Sequence, residues 1–277
     1  MASAALKLEE QKIQAKPFLK WAGGKSAILD SIFSCFPERF KGYHEPFVGG
    51  GAVFFGLQPK KAVLSDINEE LINVYTAIRD DVDGVIRQLR RYKVSEEQFY
   101  KMRARDPKRL SVVGAAARTV YLNRTCFNGL YRVNKKGKFN APYGRYANPK
   151  VCNEENLRAC SEALQDVKII HQNALSVTQR VSKGDLVYFD PPYDPVSPTA
   201  SFTSYTAQGF GREQQEELAE VFASLARKKV HVVLSNSNTP FIRKLYKGFK
   251  IQEVFVRRAI NRRAERRGPG CEVLVHT

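Results

Sequence analysis

Acidic residues are scarce in this chain of 277 residues: 28 Asp and Glu stand against 45 Lys and Arg, leaving a formal charge of +17 and a pI near 9.7. So basic a surface points to a polyanionic partner, most simply nucleic acid. No apolar run approaches the length of a membrane span, which argues against a membrane protein. The opening residues, Met1 to Glu10, carry early acids and no apolar centre, so a secretory leader is not expected. The five cysteines (Cys35, Cys126, Cys152, Cys160, Cys271) are scattered, odd in number and without a Cys-x-x-Cys pair, and the four histidines are equally dispersed. Neither a disulfide framework nor a metal site is expected, and a reducing compartment is. Internal repeats and low-complexity tracts are also absent. Gly23-Gly24-Lys25-Ser26 ends like a phosphate loop, but the motif's first glycine should stand where the chain has Leu19, so a nucleotide-hydrolysing loop is excluded.

What is there centres on Asp190-Pro191-Pro192-Tyr193. It comes after an apolar run, Gly184 to Phe189, that reads as a buried strand. Two prolines fix φ and remove amide donors, so the strand must end in a stiff, open loop. In open α/β sheets such loops, at the carboxyl ends of strands, are where ligands bind. The loop offers a carboxylate, rigid carbonyls and an aromatic face. That set suits an exocyclic amino group on a nucleobase: acceptors for its two N–H bonds push the nitrogen toward a pyramidal, more nucleophilic form. The ring of Tyr193 suits stacking on a base that has left its helix. Taken alone, the four residues favour the plainer reading, a strand end followed by a proline turn with Tyr193 as ordinary packing.

Other stretches add to it. Pro17 to Ser26 places a glycine pair and a lysine beside the only tryptophan, Trp21, ahead of a helix expected to run through Phe36. Tyr43 to Ala52 reads as a strand entering a glycine loop (Gly49, Gly50, Gly51), then a helix start at Val53. Ala62 to Asp66 is a second strand ending in an acid, placed either to accept ribose hydroxyls or to cap a helix over Ile67–Ile78. From residue 76 to 164 basic residues exceed acidic ones by about ten, Arg87, Arg90, Arg91, Lys93, Lys101, Arg103, Arg105, Lys108 and Arg109 among them. A charged run is usually a solvated face, but a one-signed run invites phosphate contacts. Lys135-Lys136-Gly137 marks a turn between two short extended runs inside Tyr121–Tyr146, predicting a β-hairpin with basic, amide and aromatic residues suited to reading a DNA groove. Further strands are predicted at 167–171 and 230–238, a helix at 212–227, and a last hairpin, 251–260 with 271–277, around the arginine loop Asn261–Arg267. Residues 1–16 read as a flexible arm or a frayed helix, and Ser197–Gln208 as a Ser/Thr-rich loop.

In this order the motifs resemble the Dam-type, or alpha-group, DNA adenine-N6 methyltransferases. Phe18 to Lys25 resembles the N-terminal cofactor motif, Glu45 to Gly51 the methionine-side glycine loop, Ser65 to Asn68 the ribose acid and Asp190 to Tyr193 the catalytic motif. Asn128 to Arg132 and Phe139 to Tyr146 resemble the recognition hairpin of members that modify GATC. The resemblance implies a Rossmann-like S-adenosylmethionine-dependent α/β fold with an inserted, mostly helical target-recognition domain bearing a β-hairpin: core 1–75, recognition 76–164, core 165–277. It implies S-adenosylmethionine as cofactor, near Trp21, Ala22, Gly23, Lys25, Glu45, Phe47, Gly49, Gly51, Asp66, Ile67, Asn173 and Asp190. Relatives often carry Gly-Asp where this chain has Gln172-Asn173, so an amide would stand in for a carboxylate there. Asp190, Pro191, Pro192 and Tyr193 would be catalytic. Lys20, Asn128, Leu130, Arg132, Asn134, Asn140, Pro142 and Arg145 would meet double-stranded DNA. The implied reaction is direct attack of adenine N6 on the methyl group, without metal, in a bacterial or phage cytoplasm, alone or beside a restriction enzyme. The oligomeric state is left open, a monomer being compatible. Rival readings are cytosine-N4 methylation, which a serine at position 190 would favour, and a DNA-binding protein without catalysis.

Overall fold

The computed structural model describes residues 13–134, 136–196, 210–257 and 269–277. The Ser/Thr-rich stretch 197–208, the arginine loop 261–267 and the first twelve residues of the expected arm lie outside the described residues.

Seven strands form one sheet: β1 (Tyr43–Glu45), β2 (Ala62–Asp66), β3 (Lys168–His171), β4 (Leu186–Phe189), β5 (His231–Ser237), β6 (Lys250–Arg257) and β7 (Pro269–His276). Their order is β3-β2-β1-β4-β5-β7-β6. All neighbours from β3 to β5 are parallel, and β7 runs antiparallel to both β5 and β6. The chain leaves β1 toward β2 on one side, and β4 lies on the other. A crevice therefore opens at the carboxyl ends of β1 and β4, where strand order reverses.

Parallel strands covered on both faces read as unbroken apolar runs, and β4 is one. Its Leu186 and Tyr188 enter one hydrophobic cluster, its Val187 and Phe189 the other. The second cluster is closed by α8 (Arg212–Arg227) and α9 (Pro240–Leu245). The first is closed by α1 (Leu29–Phe33), α2 (Ala52–Leu57) and a set of helices between β2 and β3: α3 (Glu69–Asp80), α4 (Val82–Arg90), α5 (Glu96–Ala104), α6 (Val112–Thr125) and α7 (Glu154–Ala163).

These helices have legible ends. Asn68, Asp81, Ser95 and Ser111 each accept a backbone N–H three residues on, capping α3, α4, α5 and α6. Arg118 is buried on α6, donating to the Met102 and Arg103 carbonyls at the end of α5 and to Glu70 on α3. The apolar faces of α4 to α7 (Leu89, Phe99, Val120, Leu157) belong to the same cluster as the sheet residues Leu64 and Tyr188. Among the described residues no helix is long and apolar enough to cross a membrane.

Three expectations need correction. The helix expected through Phe36 is α-helical only over Leu29–Phe33, because its last turn tightens: Cys35 and Phe36 N–H donate to the carbonyls three residues back, Ile32 and Phe33, and not four. The α3 cap is Asn68 and not Asp66, whose carboxylate faces the glycine loop. The end of the expected arm is anchored: Ala15 is buried, and the Asn156 amide exchanges two 2.9 Å hydrogen bonds with the Lys16 backbone.

Candidate active site

The crevice is a cleft of about 810 Å³ lined by residues 17–26, the glycine loop after β1, the end of β2, residues 128–130, the turn at 173–175, the Asp190 loop after β4, and Phe210, Gln214 and Glu217 at the start of α8. Every residue expected around the cofactor lines it, from Trp21 to Asp190, together with Pro191, Pro192 and Tyr193.

The glycine loop is shaped by contacts that leave no room for side chains. Gly51 has φ +69°, and a Cβ there would fall 2.5 Å from the Tyr75 hydroxyl. That hydroxyl donates to the Gly49 carbonyl at 3.1 Å, while Gly49 N–H donates to Asp66 at 3.2 Å. Gly51→Ala is therefore expected to cost about 1–3 kcal/mol, from strained φ and lost packing together. A thermal melt would read this; an unchanged midpoint would contradict it. Asp66 also accepts Asn68 N–H at 2.9 Å, and burial pushes its carboxyl up to about 6. Trp21 stacks on Tyr131 with centroids 5.1 Å apart.

Three more ionisable groups converge beside that loop. Glu45 ends β1 fully covered, accepting the Tyr43 hydroxyl at 2.8 Å; burial pushes its carboxyl up to about 8. Lys25, only 4% exposed, pairs with Asp190 Oδ2 at 2.8 Å and donates to the Gly23 carbonyl. Its ammonium stands 4.9 Å from the centroid of the Tyr193 ring. Asp190 Oδ1 accepts from Ser235 on β5 at 2.9 Å, and Ser235 meets the Tyr188 hydroxyl at 2.8 Å. The two prolines stop the sheet ladder, and side chains hold the loop beyond them. Gln215 of α8 donates to the Pro192 carbonyl at 2.8 Å and accepts from Asn236. Asp194 is held by Asn236, Ser237 and Thr239. The result is a carboxylate fixed at both oxygens beside an aromatic ring, in a cleft that also holds two acids of raised proton affinity.

Sequence comparison places this cleft in a family. Residues 21–260 match the D12 class of N6 adenine-specific DNA methyltransferases. The chain belongs to that class. It is 42% identical to the Type II methyltransferase M1.LlaDCHI of Lactococcus lactis subsp. cremoris, covering 97% of each chain. It is 43% identical to the Type II methyltransferase M.MjaIII of Methanocaldococcus jannaschii, covering 95% of this chain and 99% of that one. It is 36% identical to the DNA adenine methylase of Escherichia coli K12, covering 89% of each. The protein is thus an adenine-specific DNA methyltransferase.

The methyltransferase spreads the residues expected to meet DNA over two zones. Lys20, Asn128 and Leu130 line the cleft itself. Arg132, Asn134, Asn140, Pro142 and Arg145 do not. Arg132 is exposed and donates to the side chain and carbonyl of Asn140, at 2.8 and 3.2 Å. Asn134 closes the turn by accepting the Lys136 and Lys138 amides, and Arg145 lies 3.7 Å from Glu96. The turn forms as expected, and the flanking runs pair briefly: Asn134 N–H donates to the Lys138 carbonyl and Asn140 N–H to the Arg132 carbonyl, both at 2.9 Å, around the antiparallel bridge of Val133 with Phe139, with Cys126 and Tyr143 forming a second bridge. Tyr121 to Thr125 are the end of α6 instead. Of the basic run, Arg87, Arg91, Lys93, Lys101, Arg105, Lys108 and Arg109 are exposed, while Arg90 pairs with Glu154 and Arg103 donates to the Ala141 carbonyl. Asn173 lines the cleft but accepts Leu175 N–H with its side-chain oxygen.

Sequence reading missed the groups that hold the Asp190 loop: Tyr188, Gln215, Ser235, Asn236 and Glu272. The polar end of β5, Ser235-Asn236-Ser237 after an apolar run, was the one signal available.

Proposed function

We propose that this methyltransferase uses S-adenosylmethionine to methylate N6 of an adenine flipped out of double-stranded DNA, with GATC as its target. The observation that carries the reading is Asp190, fixed by Lys25 and Ser235 at the end of β4 within the cleft that holds Glu45 and Asp66. The donor set fits the cofactor. Acids at 45 and 66 suit a cation and ribose hydroxyls, Lys25 suits a carboxylate, and Trp21 offers an aromatic wall. When bound, the cofactor supplies a methyl group on a positively charged sulfonium.

The chain's own residues do the rest by positioning and hydrogen bonding. Asp190 accepts an amino N–H of adenine, with the Pro191 carbonyl as second acceptor, and so raises the nucleophilicity of N6. Tyr193 stacks on the extruded base and keeps it in line. Residues 76–164 act as the recognition part. Lys20, Leu130, Arg132, Pro142 and Arg145 read or flank the target, and Asn134 and Asn140 touch phosphates. The asparagine-bounded turn and the arginine-rich exposed face support this assignment.

The test uses isotope-labelled S-adenosylmethionine with one duplex containing GATC and one with the site scrambled, digested to nucleosides and identified by mass. Label in N6-methyladenine from the GATC duplex alone is the expected result. Label in both duplexes would remove the GATC assignment, and label in cytosine would remove the adenine one. Arg132→Ala is expected to lower discrimination at the base it reads by about 1–3 kcal/mol, measured as the ratio of kcat/KM between GATC and single-substituted sites.

A further inference from the structure

We propose that Glu272 is a positioning residue for base capture: its carboxylate fixes the tyrosine ring on which the extruded adenine lands. The proposal rests on the stacking role given to Tyr193 above. β7 runs against the parallel strands, so its first residues reach the carboxyl edge of the sheet, where Glu272 is paired with Ser237. Along β7 the side chains alternate. Val273 and Val275 enter one hydrophobic cluster and Leu274 the other. Glu272 shares the face of Leu274, and a carboxylate at the rim of an apolar face costs stability unless it is hydrogen-bonded. Its partner is the Tyr193 hydroxyl, which donates to Oε2 at 2.9 Å across 79 residues of sequence.

That bond completes the fixing of the ring. The backbone is stiffened by Pro191 and Pro192 on one side and held by the Asp194 N–H on Asn236 on the other. Lys25 stands over the ring's face. A tyrosine fixed only by its backbone still swings about its side-chain bonds; one tied at the hydroxyl has the direction of its ring axis fixed, and because a phenol O–H lies in the plane of its ring, the position of the acceptor favours one ring plane. The cost of ordering the platform is then met before the base arrives.

Glu272→Ala and Tyr193→Phe sever the same bond from opposite ends. The probe is a GATC duplex, with adenine for single-turnover methylation and with 2-aminopurine at the target position for fluorescence of the unstacked base. Each variant is expected to lower the single-turnover rate by roughly 10- to 100-fold, the range for a hydrogen bond to a charged group. The fluorescence rise should be altered alike in both, while cofactor affinity stays at the parent value. Since they share one interaction, the double variant should be no slower than the slower single. Glu272→Gln, which keeps an acceptor oxygen, should recover most of the rate. Multiplying losses in the double variant, or parental rates in Glu272→Ala, overturn the proposal. If Glu272→Ala does not fold, Tyr193→Phe and Glu272→Gln decide: a parental rate in Tyr193→Phe overturns it. Parental activity in Tyr193→Ala would instead remove the stacking role itself.

Discussion

Asp190→Ala is expected to bind duplex DNA as the parent does and to lose methyl transfer by a factor on the order of a thousand or more, comparable to deleting a principal electrostatic group of an active site. Asp190 is partly exposed in the cleft, and neither of its hydrogen bonds reaches the exposed basic face. DNA affinity, dominated by phosphate contacts, should therefore survive. The same change leaves Lys25 buried without its partner, which destabilises by on the order of a few kcal/mol. Asp190→Asn separates the two effects. It keeps an acceptor for Ser235 and a dipole for Lys25, so it should fold better than the alanine variant, yet it puts an amide where N6 needs a carboxylate. Single-turnover methylation, filter binding and a thermal melt on both variants would check this. Near-parental turnover in either would remove Asp190 from the reaction.

Folding stability should fall as pH rises from about 4.5 to about 8, on the order of a few kcal/mol, because of Glu45. Burial raises its carboxyl from an ordinary 4.5 to about 8; the Tyr43 hydroxyl, the Phe54 backbone and Lys25 pull it down less, and Asp190 pushes it further up. The folded state thus holds the proton more tightly than the unfolded chain. The associated stability is full below pH 4.5, declines through the window and is gone above 8. Asp66, raised to about 6, adds the same sign between its ordinary 3.8 and 6. Glu45→Gln should flatten most of the slope in a series of thermal melts. A positively charged ligand in the cleft favours the carboxylate, so S-adenosylmethionine should release protons on binding near pH 7 and bind more tightly as pH rises toward 8. Calorimetry in buffers of different ionisation enthalpy reads that release, and zero release in the parent would show that Glu45 does not face the cation.

Periodicity made the strands legible because central strands buried on both faces have little choice of residue: Leu186 to Phe189 and Val232 to Leu234 could be little else. The helix Arg212–Arg227 was legible for a similar reason, having one apolar stripe and a glycine before it. The cleft residues were visible because glycines, prolines and acids at strand ends have few other uses. What sequence could not supply was pairing at a distance. Ser235 and Glu272 reach Asp190 and Tyr193 only because β5 lies beside β4 and β7 lies next, beyond β5, in a crossed order. The hairpin at 132–140 was legible from its turn residues, but the side-chain ties added to its short backbone pairing, Arg132 on Asn140 and Asn134 on the turn amides, were not.

The segment ahead of Trp21 is held in a way that bears on any exchange of the 127–146 region between relatives. Asn156 brackets the Lys16 backbone, and Asn123 does the same for Lys20 while also donating to the Gly129 carbonyl. Arg124 donates to the Phe18 carbonyl between them. One amide on α6 thus fastens a cleft-wall residue to the turn that begins the 127–146 region. An engineer who transplants that region from a relative as a cassette would cut through this joint. Residues 16–21, Asn123 and the graft must travel together, and, with 127–146 reading the target as proposed, drift in target choice would leave correlated changes in all three.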